Sequence, residues 1–299
     1  MTPEELAQSL ADLIGSIEEQ FSTSILRIQD TLYRRLSAVL KDLKTDPEGY
    51  ILQTAENRAI LRQAEGVFDD VIRNSGYQAA VESVLGTIPD IDALNEAYFK
   101  TIDDAFKPNR NFIKSLQRQV IRDVNTYALN DGLIVNLKVP LNQILNQNIN
   151  AGASFTGMLE QLRNFITGGE NQGRLLSYSR TFLSTTLFDY SRAYQQAVTK
   201  DLGLEFYLYS GGLTKPGKGS SGSRPFCIER ADRFFHHKEI ENWAELDWSG
   251  KRQGTTKSSI FMFAGGWNCR HTIIPVSVVI VPQDVIERAI EKGYYKKAA

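Results

Sequence analysis

One long stretch decides the fold class of this chain. Residues 2–43 read TPEELAQSLADLIGSIEEQFSTSILRIQDTLYRRLSAVLKDL. Thr2 is followed by Pro3 and then by Glu5, the pattern of a capping box at the start of a helix. Apolar residues then recur every three or four positions, which is the helical period: Leu6, Leu10, Leu13, Ile17, Phe21, Ile25, Ile28, Leu32, Leu36, Val39 and Leu43. The stripe predicts a single helix of about forty residues, roughly 60 Å long.

A helix of that length needs partner helices along its whole stripe. The stripe is interpreted either as the core of a bundle or as a seam for another copy of the chain. Its ten steps span the 37 positions from Leu6 to Leu43, so the mean step is about 3.7 residues and exceeds the 3.5 of a left-handed coiled coil. The bundle is therefore the favoured interpretation over a long coiled coil.

Glycine, proline and asparagine divide the rest of the first two-thirds into further helices. The segment 46–49, DPEG, ends the first helix. Ser154 is a good N-cap, and Gly203 is the predicted C-cap glycine of the last of these helices. The predicted helices cover 50–74, 77–86, 90–106, 109–130, 138–150, 154–167 and 172–202.

The composition changes after Gly203. Residues 204–209, LEFYLY, predict a strand, and residues 211–223 form a loop rich in glycine, serine and lysine. A short helix near 238–246, a strand at 272–281 and a helix at 284–292 follow, before the cationic pair Lys296-Lys297. We therefore expect a mainly α protein with a long-helix N-terminal bundle (1–150), connecting helices (151–203) and a small α+β C-terminal module (204–299).

Charge and hydropathy exclude some classes of function. The 299 residues contain 34 Lys and Arg against 35 Asp and Glu, a net charge of −1. A general nucleic-acid coat needs many uncompensated cations, so it is not expected. No run reaches the roughly 18 apolar residues of a membrane span. Acidic residues stand where a signal peptide carries bases, so we expect synthesis and retention in a cytosol.

All three histidines and both cysteines lie between Cys227 and His271. Cys269 and His271 are two apart and would share one face of a strand. Together with Cys227 and His237 (or its neighbour His236) they could supply four ligands for a structural zinc site.

Three interpretations of this group stay open. A metal-free cluster of buried cysteines and hydrogen-bonded histidines is favoured, because Cys-x-His is an unusual ligand pair and Arg230 stands where Cys-x2-Cys would place a second cysteine. A structural zinc site is the second. A Cys227–Cys269 disulfide is the third, and a cytosolic origin disfavours it.

Catalytic motifs are not recognisable, so we expect a protein that is not an enzyme. Cys269 and His271 on one strand face are poorly placed as nucleophile and base. His237-Lys238-Glu239 does not match the metallohydrolase pattern. The segment 217–220, GKGS, lacks the upstream glycine of a phosphate loop.

Three segments, in this order, resemble the phage head morphogenesis family, the Mu F-like minor head proteins. They are the helical segment 178–192, the segment 223–227 (SRPFC) and the segment 265–271 (GGWNCRH). The resemblance covers about residues 152–282. It implies that the last two segments close a small α+β module, with Arg224, Trp267, Asn268 and Arg270 as a structural clasp.

The resemblance also implies a function. Minor head proteins are virion components, assembled in the host cytoplasm and associated with the portal vertex. Expected partners are portal or major capsid proteins, other copies of the chain and packaged DNA, with no cofactor required. The alternatives are an enzyme- or toxin-associated domain and a non-virion adaptor with a zinc-stabilised module.

Overall fold

The computed structural model describes residues 1–169, 172–216 and 222–296. Helices account for 66% of it, and the strands form one small antiparallel sheet, which confirms a mainly α fold with a small α+β part. The GKGS segment 217–220 and Lys297 lie outside the described residues. No described helix is long and apolar enough to cross a membrane.

Among the described residues, nine α-helices precede the sheet, with π-helical turns at Asn125–Leu129 and Ile134–Lys138. They are α1 (Pro3–Leu40), α2 (Ala55–Asn74), α3 (Tyr77–Leu85), α4 (Ile88–Ile102), α5 (Arg110–Val124), α6 (Asp131–Leu133), α7 (Val139–Ala151), α8 (Phe155–Thr167) and α9 (Arg174–Leu202).

Helix α1 begins as predicted. The Thr2 amide donates to Glu5 Oε2 at 2.7 Å, and the Glu5 amide donates to Thr2 Oγ1 at 3.1 Å, so the capping box is formed. The helix ends at Leu40, three residues before the predicted stripe does. Ile14 and Leu40 are buried where the stripe named Leu13 and Val39. In a helix of 3.6 residues per turn, the fourth residue after Leu10 or Leu36 lies closer to the inward direction than the third.

Local capping sets the later helix limits. Helix α2 begins at Ala55 and not at 50, because Thr54 Oγ1 accepts from the Asn57 amide at 3.2 Å and residue 51 pairs with Thr45. Ser154 caps α8 as predicted, and α9 ends in the predicted glycine C-cap, with Gly203 at φ +63° and the Leu204 amide bonded to Thr199 O at 3.1 Å. The single helix predicted over 109–130 was wrong, since it passes into the π-helical turn after Val124.

The last third of the chain builds the sheet. It contains β1 (Phe206–Ser210), α10 (Pro225–Ile228), β2 (Arg233–His236), α11 (His237–Trp243), α12 (Ile260–Phe263), β3 (Thr272–Val276), a 3-10 turn (Val278–Ile280) and α13 (Gln283–Glu291). The order is β2-β1-β3, with both pairings antiparallel. Strand β3 stops at Val276, short of the predicted 281, and β2 was not predicted at all.

Strand β1 is the centre of the sheet and is covered on both faces. All five of its residues are buried. Tyr207 and Tyr209 belong to one apolar cluster, with Phe226, Trp243 and Cys269. Phe206 and Leu208 belong to another, with helix α13. Because successive side chains of β1 point to opposite faces of the sheet, each face has its own apolar cluster.

Contacts divide the chain into two compact units. The first unit is Met1–Ser16, Thr87–Ile121 and Ser184–Ala299, and the second is Ile17–Gly86 and Arg122–Leu183. Both are built from segments distant in the sequence. The chain-contiguous limits 1–150, 151–203 and 204–299 stay predictions.

A buried asparagine orders the loop between α1 and α2 in the second unit. Asn57 Oδ1 accepts from the Lys44 amide at 2.8 Å, and its Nδ2 donates to the carbonyls of Lys44 at 2.9 Å and Leu52 at 2.6 Å. The side chain is fully buried. The Asn57 side chain thus supplies hydrogen-bond partners to backbone groups of the loop.

Candidate functional site

The first unit gathers four donor side chains in its interior, here called the Cys–His–Tyr cluster: Tyr209, Cys227, Cys269 and His271. The ligating atoms of the two cysteines and the histidine all lie within 4.8 Å of one another. Tyr209 Oη lies 3.3 Å from Cys227 Sγ and 3.7 Å from Cys269 Sγ. Cys269 Sγ lies 3.8 Å from His271 Nδ1. None of the four side chains is more than 4% exposed.

A glycine turn brings Cys269 to the cluster. The Gly265 amide donates to Cys269 Sγ at 3.3 Å. A Cβ on Gly265 would lie 2.6 Å from Cys227 Sγ and 2.9 Å from Cys269 Sγ, so only glycine fits between the sulfurs. Gly266 has φ +95°, and its Cβ would overlap the Gly250 carbonyl. The pair Gly265-Gly266 is therefore required by the close approach of sulfur and backbone.

Helix α10 positions Cys227. Pro225 occupies its first turn, and the Cys227 amide donates to Arg224 O at 2.9 Å. The Arg224 guanidinium donates to Gly265 O at 3.2 Å and to Trp267 O at 2.5 Å. Arg224 thus ties the segment 223–227 to the segment 265–271, two of the three segments that carry the resemblance.

Arg192, on α9 and in the remaining segment 178–192, binds the same turn. Its guanidinium donates to Cys269 O at 2.6 Å, to Met262 O at 3.1 Å and to His271 O through Nε at 3.0 Å. It also pairs with Asp189 at 3.1 Å, and the residue is 1% exposed. A buried arginine with this many acceptors is well compensated and fixes the turn.

The other predicted clasp residues are placed as follows. The Asn268 amide donates to Thr185 Oγ1 at 3.1 Å, at φ +58°. Trp267 is 47% exposed, and the Arg252 guanidinium lies 4.6 Å from its ring centre. Arg270 is half-buried. The sequence did not mark Arg192 as a site residue, because an arginine within a helical segment is expected on the solvent-exposed face.

His237 does not join the cysteines. It groups with Glu205 and His236, whose ligating atoms lie within 4.8 Å of one another. His236 Nδ1 accepts from the Lys238 amide at 3.2 Å, and the His236 amide donates to Glu239 Oε2 at 3.1 Å, which caps α11. Burial, with His237 next to it, lowers the pKa of His236 to about 4.

The pKa values of the two cysteine thiols are shifted in opposite directions. A hydrogen bond from Cys227 and a second contact with His271 hold the pKa of the Cys269 thiol well below its ordinary value, against the effect of burial. The same sulfur–sulfur hydrogen bond, together with burial, raises the pKa of Cys227. Burial and the neighbouring sulfurs raise the pKa of Tyr209. Both cysteines are free thiols, so the disulfide interpretation does not describe this structure.

The cluster can hold a cation or a shared proton, but a substrate would have to displace the core to reach it. Tyr209 was missed by the sequence reasoning because a search for metal ligands looks first at cysteine and histidine. The available signal was the i, i+2 spacing of Tyr207 and Tyr209, which puts both on the strand face that the cysteines cover.

Comparison with known proteins adds no relative: no family model, no curated protein and no solved structure matches this chain.

Proposed function

We propose that this chain is a phage minor head protein, a structural component of the virion that acts at the portal or capsid during head assembly, DNA packaging or ejection. The observation that supports this proposal is the meeting of the three segments that resemble the family. Arg192 of the first segment and Arg224 of the second both donate to carbonyls of the turn 265–271 in the third. Cys227 of the second segment is hydrogen-bonded to Cys269 of the same turn.

The chemistry of the meeting point favours a structural role over a catalytic one. Arg192 and Arg224 donate to main-chain carbonyls. Such bonds fix a backbone and leave no cation aimed at a substrate. The cysteines and His271 are at most 4% exposed. We therefore propose that the module is a closed clasp and that the chain has no enzymatic activity of its own.

Exposed apolar side chains on the second unit favour a protein partner. Tyr127 is 50% exposed, Ile134 45% and Val135 65%, all on the π-helical turns. Contiguous apolar patches on a surface are typical of protein interfaces, and we propose that these side chains are part of such a patch. Portal and major capsid proteins are the partners we propose, together with other copies of this chain.

Mass spectrometry of virus particles tests the proposal. Particles from the source virus, purified through two density gradients, are expected to contain this chain in few copies, with crosslinks to portal or capsid protein. Its absence from particles that contain portal protein would overturn the proposal. Neighbouring portal and terminase genes are the expected genomic context.

Complementation then tests the clasp. A virus lacking this gene should regain particle assembly with the wild-type chain and with Arg58→Leu, a change at an exposed arginine. Arg192→Leu should not restore assembly, because it leaves the carbonyls of the turn without their donor and Asp189 with Arg252 alone. Equal rescue by both variants would contradict a role of the clasp in assembly.

A further inference from the structure

The donor atoms of the Cys–His–Tyr cluster lie close enough together to surround one metal ion. We propose that Cys227, Cys269, His271 and Tyr209 bind one zinc ion, with the Tyr209 hydroxyl in the place for which sequence spacing suggested His237. This site is independent of the proposed virion role, since zinc content and particle content are measured separately.

The distances support four-coordinate binding. Zinc lies about 2.3 Å from sulfur and about 2.0–2.2 Å from nitrogen or oxygen, so the edges of a tetrahedral site are about 3.5 Å long. Three of the six edges match this length: 3.3 Å from Tyr209 Oη to Cys227 Sγ, 3.7 Å to Cys269 Sγ, and 3.8 Å from Cys269 Sγ to His271 Nδ1. The ligating atoms of Cys227, Cys269 and His271 are all within 4.8 Å of one another. Small shifts of side chains would suffice to close around an ion.

The donor set selects the metal. Two thiolates and an imidazole suit zinc and not the hard cations calcium and magnesium, which take oxygen ligands. All four donors come from the protein and are buried, as in closed structural sites. On binding, each thiol and the phenol releases a proton to the solvent, and no electron is transferred.

Hydrogen-bond donors and positive charges near the cluster favour a zinc site with a net negative charge. Zinc with two thiolates and a phenolate carries one net negative charge. The Gly265 amide already donates to Cys269 Sγ. Arg192, bound to the Cys269 carbonyl, and Arg252 share the single carboxyl group of Asp189, at 3.1 Å and 2.7 Å. That group of three carries at least one excess positive charge, which favours an anionic site beside it.

Tyr209 is also held rigidly enough to act as a ligand. It lies in the central strand, opposite Arg233 on one side and Ile273 on the other. Its ring stacks on His271 with centroids 5.2 Å apart. A donor fixed on both sides by neighbouring strands loses little entropy on binding. His237, in contrast, belongs to the group formed with Glu205 and His236.

Metal analysis of the full chain tests the site. Protein purified without chelators should contain one zinc per chain by elemental analysis, and replacement by Co²⁺ should give the strong visible absorption of a tetrahedral cobalt–thiolate site. Cys269→Ser should lose the bound metal. The wild-type chain with neither bound zinc nor a tetrahedral cobalt spectrum would overturn the proposal and leave a hydrogen-bonded cluster.

A matched pair of tyrosines tests the fourth ligand. Tyr209→Phe should weaken zinc binding at least about tenfold in competition with a chromophoric chelator, whereas Tyr207→Phe, at a buried tyrosine two residues away, should not. Equal affinities of the two variants would overturn the assignment of Tyr209. If Tyr209→Phe does not fold, the ultraviolet difference spectrum of wild-type protein on zinc addition decides, since a phenolate band is expected and its absence excludes the tyrosine.

Discussion

The guanidinium of Arg192 lies 2.6 Å from the main-chain carbonyl of Cys269, so a helix residue directly holds the turn that carries a cluster sulfur. Replacing Arg192 by leucine removes the donor to three carbonyl groups and one of the two arginine partners of Asp189. We expect Arg192→Leu to lower the free energy of unfolding by about 3–5 kcal/mol. Urea unfolding of both proteins measures this change.

Arg58→Leu is the control for that substitution. Arg58 is exposed on α2, and its replacement should change the free energy of unfolding by no more than about 0.5 kcal/mol. A loss below about 1 kcal/mol for Arg192→Leu would mean that its hydrogen bonds do not hold the turn.

Two glycine substitutions should act in opposite directions. Gly265→Ala inserts a methyl group 2.6 Å from Cys227 Sγ, and overpacking of this kind costs about 1–3 kcal/mol. Gly66→Ala, inside α2 with no atom within 4 Å of the new Cβ, should instead stabilise by about 0.5–1 kcal/mol. Thermal unfolding gives the sign of each effect, and equal signs would disprove this account.

His236 should make stability depend on pH between about 4 and 6.5. Its folded pKa of about 4 lies below the ordinary 6.5, so the unfolded chain binds the extra proton in this window. The contribution is complete above pH 6.5 and is lost as the pH falls towards 4, by about 3 kcal/mol. The cause is burial, with the adjacent His237 and Lys238 opposing a positive charge and Glu239 favouring it.

His236→Asn isolates that titration. An asparagine side chain can still accept the Lys238 amide hydrogen bond at the start of α11, but it does not titrate. Its stability measured from pH 8 to pH 4 should fall less than that of the wild-type chain, by the same amount of about 3 kcal/mol. Parallel pH profiles would show that His236 is not the titrating group.

Asn57→Asp should destabilise the loop between α1 and α2. The substitution replaces the donor to Lys44 O and Leu52 O by an acceptor, which leaves two buried carbonyls facing a carboxylate. The expected loss is about 2 kcal/mol or more. Asn150→Asp, at an exposed position, should stay within about 0.5 kcal/mol in the same urea titration.

Local signals made the helical part of the fold predictable. The Thr2–Glu5 capping box, the Ser154 N-cap and the Gly203 C-cap each depend on residues within six positions of one another, and all three were confirmed. The π-helical turn after Val124 has no such signature, and it was read as continuous helix.

The sheet and the full cluster depend on contacts between residues far apart in the chain, which the sequence does not reveal. Strand β2 has only four residues, RFFH, and it exists because it pairs with β1. The sequence grouped three of the four cluster residues, Cys227, Cys269 and His271. The position of Tyr209 depends on how β1 pairs with β3, which the sequence does not reveal. His237 was set apart because α11 begins there and turns its side chain towards a different group.

The first unit is built from three separate stretches of the chain, so its parts are synthesised at different times. Residues 1–16 leave the ribosome before the other parts of their unit, 87–121 and 184–299. All of the second unit has been synthesised once Leu183 is added. The second unit can therefore fold on the ribosome before the last third of the chain has been synthesised. During that interval the first turns of α1 have no packing partners from that last third, and chaperones can bind their exposed apolar side chains.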